Sequence, residues 1–80
     1  MHHVYILKLS NGKYYTGYSP DVLARLEDHR QGKCMSTKDK RPLKLIWFAS
    51  FEEKTMALAF ERYLKSGSGI AFRNKHIITK

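Results

Sequence analysis

The chain has 80 residues, 42% of them apolar, and carries fifteen Lys and Arg against seven Asp and Glu, for a formal charge of +8. That length supports one small hydrophobic core, expected to span residues 1–80 as a single domain, and the apolar share excludes a disordered tail. The apolar runs are only a few residues long, far short of the ~20 residues that a helix crossing a bilayer needs.

From His3 to Leu9, β-branched and aromatic residues read as a strand, and Lys13 to Tyr18 reads as a second. Asn11-Gly12 between them is a hairpin signal. Ser19-Pro20-Asp21 then opens a helix, with serine as N-cap, proline at the first position and an acid in the first turn. Val22, Leu23 and Leu26 supply its buried stripe, and Gly32 ends it. Residues 33–42 form a polar, basic loop closed by Arg41-Pro42. Leu43 to Phe48 is a third strand, whose Leu45, Ile46, Trp47 and Phe48 are expected in the core. Ser50-Phe51-Glu52-Glu53 has the spacing of a capping box. The helix it starts carries Met56, Ala57, Phe60, Tyr63 and Leu64 at helical spacing and stops at Gly67. Ser68-Gly69 caps a short last helix running toward Ile77. The order β-β-α-β-α-α predicts an α/β chain of the α+β kind, a three-stranded, largely antiparallel sheet packed by helices.

Cys34 is the one cysteine, which rules out an internal disulfide and a cysteine-based zinc set. With no basic-then-apolar leader at the start, a reducing, cytoplasmic setting is expected. The positive charge is clustered. Lys33, Lys38, Lys40, Arg41 and Lys44 oppose only Asp39, and beyond Glu61 the bases Arg62, Lys65, Arg73, Lys75 and Lys80 meet no acid. Two basic clusters on so small a body point to a polyanion, and the missing amphipathic aromatic face argues against a membrane.

Four features then fall in order. Tyr5 lies in the first strand, and Tyr15-Thr16-Gly17 lies in the second, ten residues on. Arg25 and His29 stand four apart on the first helix and so share a face. Glu61 sits on the second helix among bases. Each has a bland alternative: strand tyrosines usually pack, an Arg and a His four apart normally mark a solvated face, and Glu61 would ordinarily pair with Lys65. His2, His3 and His76 stand at no metal-ligand spacing and read as surface or terminal residues. Ser66-Gly67-Ser68-Gly69 lacks the Gly-Lys-Ser/Thr ending of a phosphate loop.

Taken together, the pattern resembles the GIY-YIG nuclease superfamily over nearly the whole chain, most of all its small single-domain bacterial members and the related domain of the excision-repair incision subunit. The resemblance rests on Val4-Tyr5-Ile6-Leu7, Tyr15-Thr16-Gly17-Tyr18, the Arg25–His29 helix and Leu64-Lys65-Ser66-Gly67-Ser68-Gly69. It implies that Tyr5 and Tyr15 are the signature tyrosines near the scissile phosphate, one of them helping to deprotonate the attacking water. Gly17 corresponds to the signature glycine, Arg25 to the catalytic arginine and His29 to a position held by histidine or tyrosine. Glu61 corresponds to the single metal-binding carboxylate, for Mg2+ or another divalent cation such as Mn2+, and Asn74 to a polar cleft asparagine. His3, Val4 and Thr16 replace signature residues at strand positions, and Tyr18 stands where the incision subunit carries lysine. The activity implied is metal-dependent endonucleolytic cleavage of DNA, in branched, single-stranded or damaged forms and linked to repair or processing. The nucleic-acid contacts are expected from Lys33, Lys38, Lys40, Arg41, Lys65, Arg73 and Lys75. The competing reading is a non-catalytic nucleic-acid-binding module on the same fold.

The chemistry agrees with the implied metal. Magnesium takes oxygen ligands, keeps several waters and often uses one or two carboxylates plus substrate phosphate. An arginine fork grips a phosphate as lysine cannot. The hairpin then carries a geometric requirement. A two-residue Asn11-Gly12 loop would send Tyr5 and Tyr15 to opposite faces, because side chains alternate along a strand. If both tyrosines serve one cleft, the loop must be Ser10-Asn11-Gly12, with Leu9 opposite Lys13, Leu7 opposite Tyr15 and a positive φ at Gly12.

Overall fold

A computed structural model describes residues 1–78 of the protein; Lys80 of the second basic cluster lies outside the described residues. The hairpin has the three-residue loop. The Leu9 amide donates to the Lys13 carbonyl at 2.8 Å, the Gly12 amide donates to Leu9 at 3.0 Å, and Gly12 has φ 82°. The Asn11 side chain accepts from the Lys13 amide at 3.0 Å, which pins the turn. β1 (His2–Lys8) therefore pairs with β2 (Tyr14–Ser19) so that Leu7 faces Tyr15 and Tyr5 faces Gly17. Both tyrosines lie on the face that carries Gly17.

β3 (Lys44–Phe51) pairs antiparallel with the other edge of β1, giving the sheet order β2-β1-β3. This is the antiparallel three-stranded α+β architecture read from the sequence. A bulge at Ile6/Leu7 pairs Trp47 with Ile6 but Leu45 with Leu7, leaving Ile46 as the extra residue. The bulge divides an unbroken apolar run between two cores. Leu45 joins Tyr5, Leu7, Leu9, Val22 and Leu26 on the side of α1 (Val22–Arg30), whereas Ile46 and Trp47 pack with Val4, Ile6, Ala57 and Leu64 on the other. Burying an aliphatic side chain as completely as Ile6 or Leu64 contributes roughly 1.5–3 kcal/mol.

That second core is covered by α2 (Lys54–Leu64), followed by α3 (Gly67–Phe72) and a π-helical turn at Arg73–Ile77. The helix starts differ from expectation. Asp21, not Ser19, caps α1 and accepts from the Ala24 amide, while the Ser19 hydroxyl closes a local turn on Asp21. Ser50 and Phe51 extend β3, so Glu53 occupies the N-cap of α2 without a side-chain bond. Ser66, not Ser68, caps α3 by accepting from the Gly69 amide. The apolar stripes are also narrower than the periodicity suggested. Leu23 is 72%, Met56 58% and Phe48 48% exposed, and none of the three belongs to either core.

Candidate active site

The site is assembled where the two layers meet beyond the β2 edge. On the α1 side, Tyr5 and Tyr15 project from neighbouring strands with ring centroids 6.3 Å apart. Val22 and Leu26 anchor α1 in that core, and the same helix presents Arg25 and His29. His29 is only 1% exposed and stands edge-on to both phenols, at centroid distances of 5.8 Å from Tyr5 and 5.3 Å from Tyr15. Its Nε2 lies 2.9 Å from the Tyr5 hydroxyl and its Nδ1 lies 2.7 Å from the Thr37 hydroxyl. Gly17 is a glycine for want of room, since an added Cβ would overlap the Tyr5 phenol and touch the Tyr15 ring.

From the other layer α2 contributes Glu61, and β2 contributes Tyr18. Together with Tyr5, Tyr15, Arg25 and His29 they wall an open cleft of about 360 Å³. Lys33, Cys34 and Ser36 of the following loop close one end. Tyr5, Tyr15, Gly17, Arg25, His29 and Glu61, far apart in the chain, thus converge on one place. Asn74 does not join them. It is not among the lining residues, and its side-chain oxygen accepts two hydrogen bonds from Arg73, at 3.2 and 3.3 Å.

Burial raises the Tyr5 phenol well above its ordinary range; nearby Tyr15 adds to the effect and Arg25 opposes it. Burial also lowers His29 from its ordinary value of 6.5, with the Arg25 charge adding to the shift. Both groups are therefore neutral near pH 7. The sign for stability follows: the unfolded chain takes up a proton at His29 that the folded state resists, so stability falls as pH drops below about 6.5. Thermal unfolding between pH 7.5 and 5 should show a declining Tm, with a shallower decline in His29→Gln. Equal slopes in the two proteins would show that His29 is not held neutral.

Among the described residues Glu61 is the only carboxylate in the cleft lining, and no cluster of three or more His, Cys, Asp or Glu could hold a metal. That donor set suits magnesium, which leaves most of its sphere to water and phosphate, and not zinc, which needs three or four protein ligands. Glu61 Oε2 accepts from Lys65 Nζ at 3.0 Å, an i,i+4 pair with the lysine about half exposed. Such pairs are worth at most ~1 kcal/mol and yield readily to a divalent cation.

The basic residues divide into two groups. Arg41 is spent on structure: its guanidinium donates to the Lys38 and Arg30 carbonyls at 2.9 and 3.1 Å, and Lys40 Nζ donates to the Ser36 carbonyl at 3.2 Å. These bonds shape the loop that delivers Thr37 to His29. Lys33 lines the cleft, and Lys38 and Lys75 are exposed. A second depression of about 280 Å³, walled by Tyr14, Lys65 and Arg73, shares Tyr15 with the cleft. The Arg73 guanidinium lies over the Tyr14 ring at 5.3 Å.

Two participants escaped the sequence reading. Thr37 has no exposed surface and bonds His29, yet a threonine in a polar loop has no pattern to betray it. His2, read as a terminal residue, stacks on Tyr18 and places Nδ1 2.7 Å from its hydroxyl. Only the register of β1 on β2 could have shown that pairing.

Residues 1–73 match the family model described as the GIY-YIG catalytic domain. The chain is 43% identical over 65 residues to the UPF0213 protein lmo0166 of Listeria monocytogenes, covering 80% of this chain and 72% of that one. It is 44% identical over 66 residues to a UPF0213 protein of Staphylococcus aureus strain Mu3, covering 81% and 80%. Its fold is similar to the solution NMR structure of the UPF0213 protein BH0048 from Bacillus halodurans, with a TM-score of 0.58, 32% identity and coverage of 92% and 82%.

Proposed function

The chain belongs to the GIY-YIG nuclease family, and from that premise we propose that it is a metal-dependent endonuclease hydrolysing phosphodiester bonds in DNA. The observation that carries this reading is the convergence of Tyr5, Tyr15, Arg25, His29 and Glu61 on one cleft from both layers of the fold. Hydrolysis needs a nucleophilic water, neutralisation of developing charge and a positioned phosphate. Arg25 offers a planar fork for two phosphate oxygens. The tyrosines supply hydroxyls for proton transfer, and Glu61 is the residue that would hold a magnesium or manganese ion. When bound, the cation neutralises charge on the scissile phosphate and its leaving oxygen.

The Lys65–Glu61 ion pair favours a second reading, in which Glu61 is a helical partner only and the chain binds nucleic acid without cutting it. Cleavage assays over duplex, single-stranded, flap and four-way-junction DNA, with and without magnesium, separate the two. Magnesium-dependent cutting of any form supports the nuclease; binding to DNA with no cutting of any form supports the module. A preference for branched or damaged forms would place the enzyme in DNA repair or processing.

Phosphate contacts should dominate affinity under either reading. With Lys33, Lys38, Lys65, Arg73 and Lys75 as phosphate partners, log K should fall against log salt with a slope of roughly −4 and with little sequence preference. Fluorescence anisotropy across a salt series checks this. A flat dependence, or strong discrimination between unrelated duplexes, would contradict it.

A further inference from the structure

We infer that Thr37 is a positioning residue that fixes His29 in its Nε2-protonated tautomer and thereby turns the Tyr5 hydroxyl proton toward the cleft. The inference follows from counting donors and acceptors along a buried chain of three side chains. A neutral imidazole has one N–H and one lone pair, so its two partners must play opposite roles. Thr37 is fully buried, and among the described residues its hydroxyl has one hydrogen-bond partner, His29 Nδ1, at 2.7 Å. If Nδ1 carried the proton, the Thr37 hydroxyl would accept it and its own hydrogen would be left without an acceptor. A buried donor left in that state loses its bond to water and gains nothing in return. The satisfied arrangement has Thr37 donating to Nδ1, which leaves the proton on Nε2.

The consequence passes to Tyr5. Nε2–H donates to the Tyr5 oxygen at 2.9 Å, so one phenol lone pair is occupied and the phenol hydrogen must point elsewhere. The neutral states of His29 and Tyr5, both set chiefly by burial, agree with this arrangement. Tyr5 is then poised as a hydrogen-bond donor to a phosphate oxygen in the cleft that it lines. That role rests on the nuclease reading, whereas the tautomer does not.

The test has two arms. Nitrogen-15 NMR of the imidazole in the DNA-free protein should show a pyridine-like Nδ1 and a pyrrole-like Nε2 for His29. Thr37→Val keeps the shape and removes the donor, so the tautomers should mix or invert, whereas Thr37→Ser should keep the wild-type signature. In cleavage assays Thr37→Val should lower kcat about 10- to 100-fold, on the scale seen when a metal-bound histidine loses the group that orients it. DNA affinity should stay unchanged and Thr37→Ser should restore turnover. A pyrrole-like Nδ1 in the wild type overturns the inference, as does Thr37→Val with both tautomer and kcat unchanged. Should Thr37→Val fail to fold, the wild-type and Thr37→Ser spectra still decide. Absence of cleavage in the wild type would remove the nuclease reading and leave the tautomer assignment standing.

Discussion

Replacing Glu61 with glutamine should lower cleavage by about a thousandfold, equivalent to roughly 4 kcal/mol of transition-state stabilisation, while the protein stays folded. The size of the effect follows from isolation. Among the described residues Glu61 is the only carboxylate in the cleft lining, so no other there could replace it as the ligand of the proposed cation. Glutamine has nearly the same volume and helix propensity, and the pair lost with Lys65 is a partly exposed helical one worth at most about 1 kcal/mol. Circular dichroism and an unfolding midpoint close to wild type establish the fold; rates measured across a magnesium series establish the function. A variant that still cuts at near the wild-type rate would remove Glu61 from the mechanism.

Gly17→Ala should destabilise the protein by about 1–3 kcal/mol, the usual cost of overpacking, and lower turnover about a hundredfold. The added methyl would occupy space filled by the Tyr5 phenol and would press on the Tyr15 ring. Relief requires Tyr5 to move, which breaks its 2.9 Å bond to His29 and shifts the hydroxyl in the cleft. Denaturant unfolding gives the stability change, and single-turnover kinetics at saturating DNA give the turnover. An alanine variant with normal stability and rate would mean that the two phenols are not held against the β2 backbone.

Neither position stands out by local pattern alone, since an acid on a helix and a glycine in a strand are common. They became legible, with Arg25 and His29, through their order along the chain and the family resemblance that this order carries. Thr37 was not, because its burial is made by the loop fold around it, and that fold depends on Arg41 reaching back to the Arg30 carbonyl. The basic residues divided along the same line, since composition shows charge but not which guanidinium is engaged with backbone. The helix starts were misread because a serine hydroxyl has partners other than a helix end: Ser19 closes a local turn on Asp21, and Ser50 bonds the His3 ring across the sheet. Asn74 was placed in the cleft by the family resemblance alone, and within the π-helical turn at Arg73–Ile77 its side chain bonds Arg73.

The three-residue turn at Ser10-Asn11-Gly12 has a consequence for how this hairpin can change length. Residues paired across β1 and β2 are both odd-numbered or both even-numbered, as in Tyr5 with Gly17 and Leu7 with Tyr15. Which β2 residues share the face of Tyr5 is therefore a matter of parity. Inserting or deleting one residue in the turn would exchange the faces of β2, taking Tyr15 and Gly17 away from Tyr5 and putting Tyr14 and Thr16 beside it. Two residues added together would restore the order. A hairpin that carries the site can therefore lengthen or shorten only in steps of two, however exposed and permissive its turn.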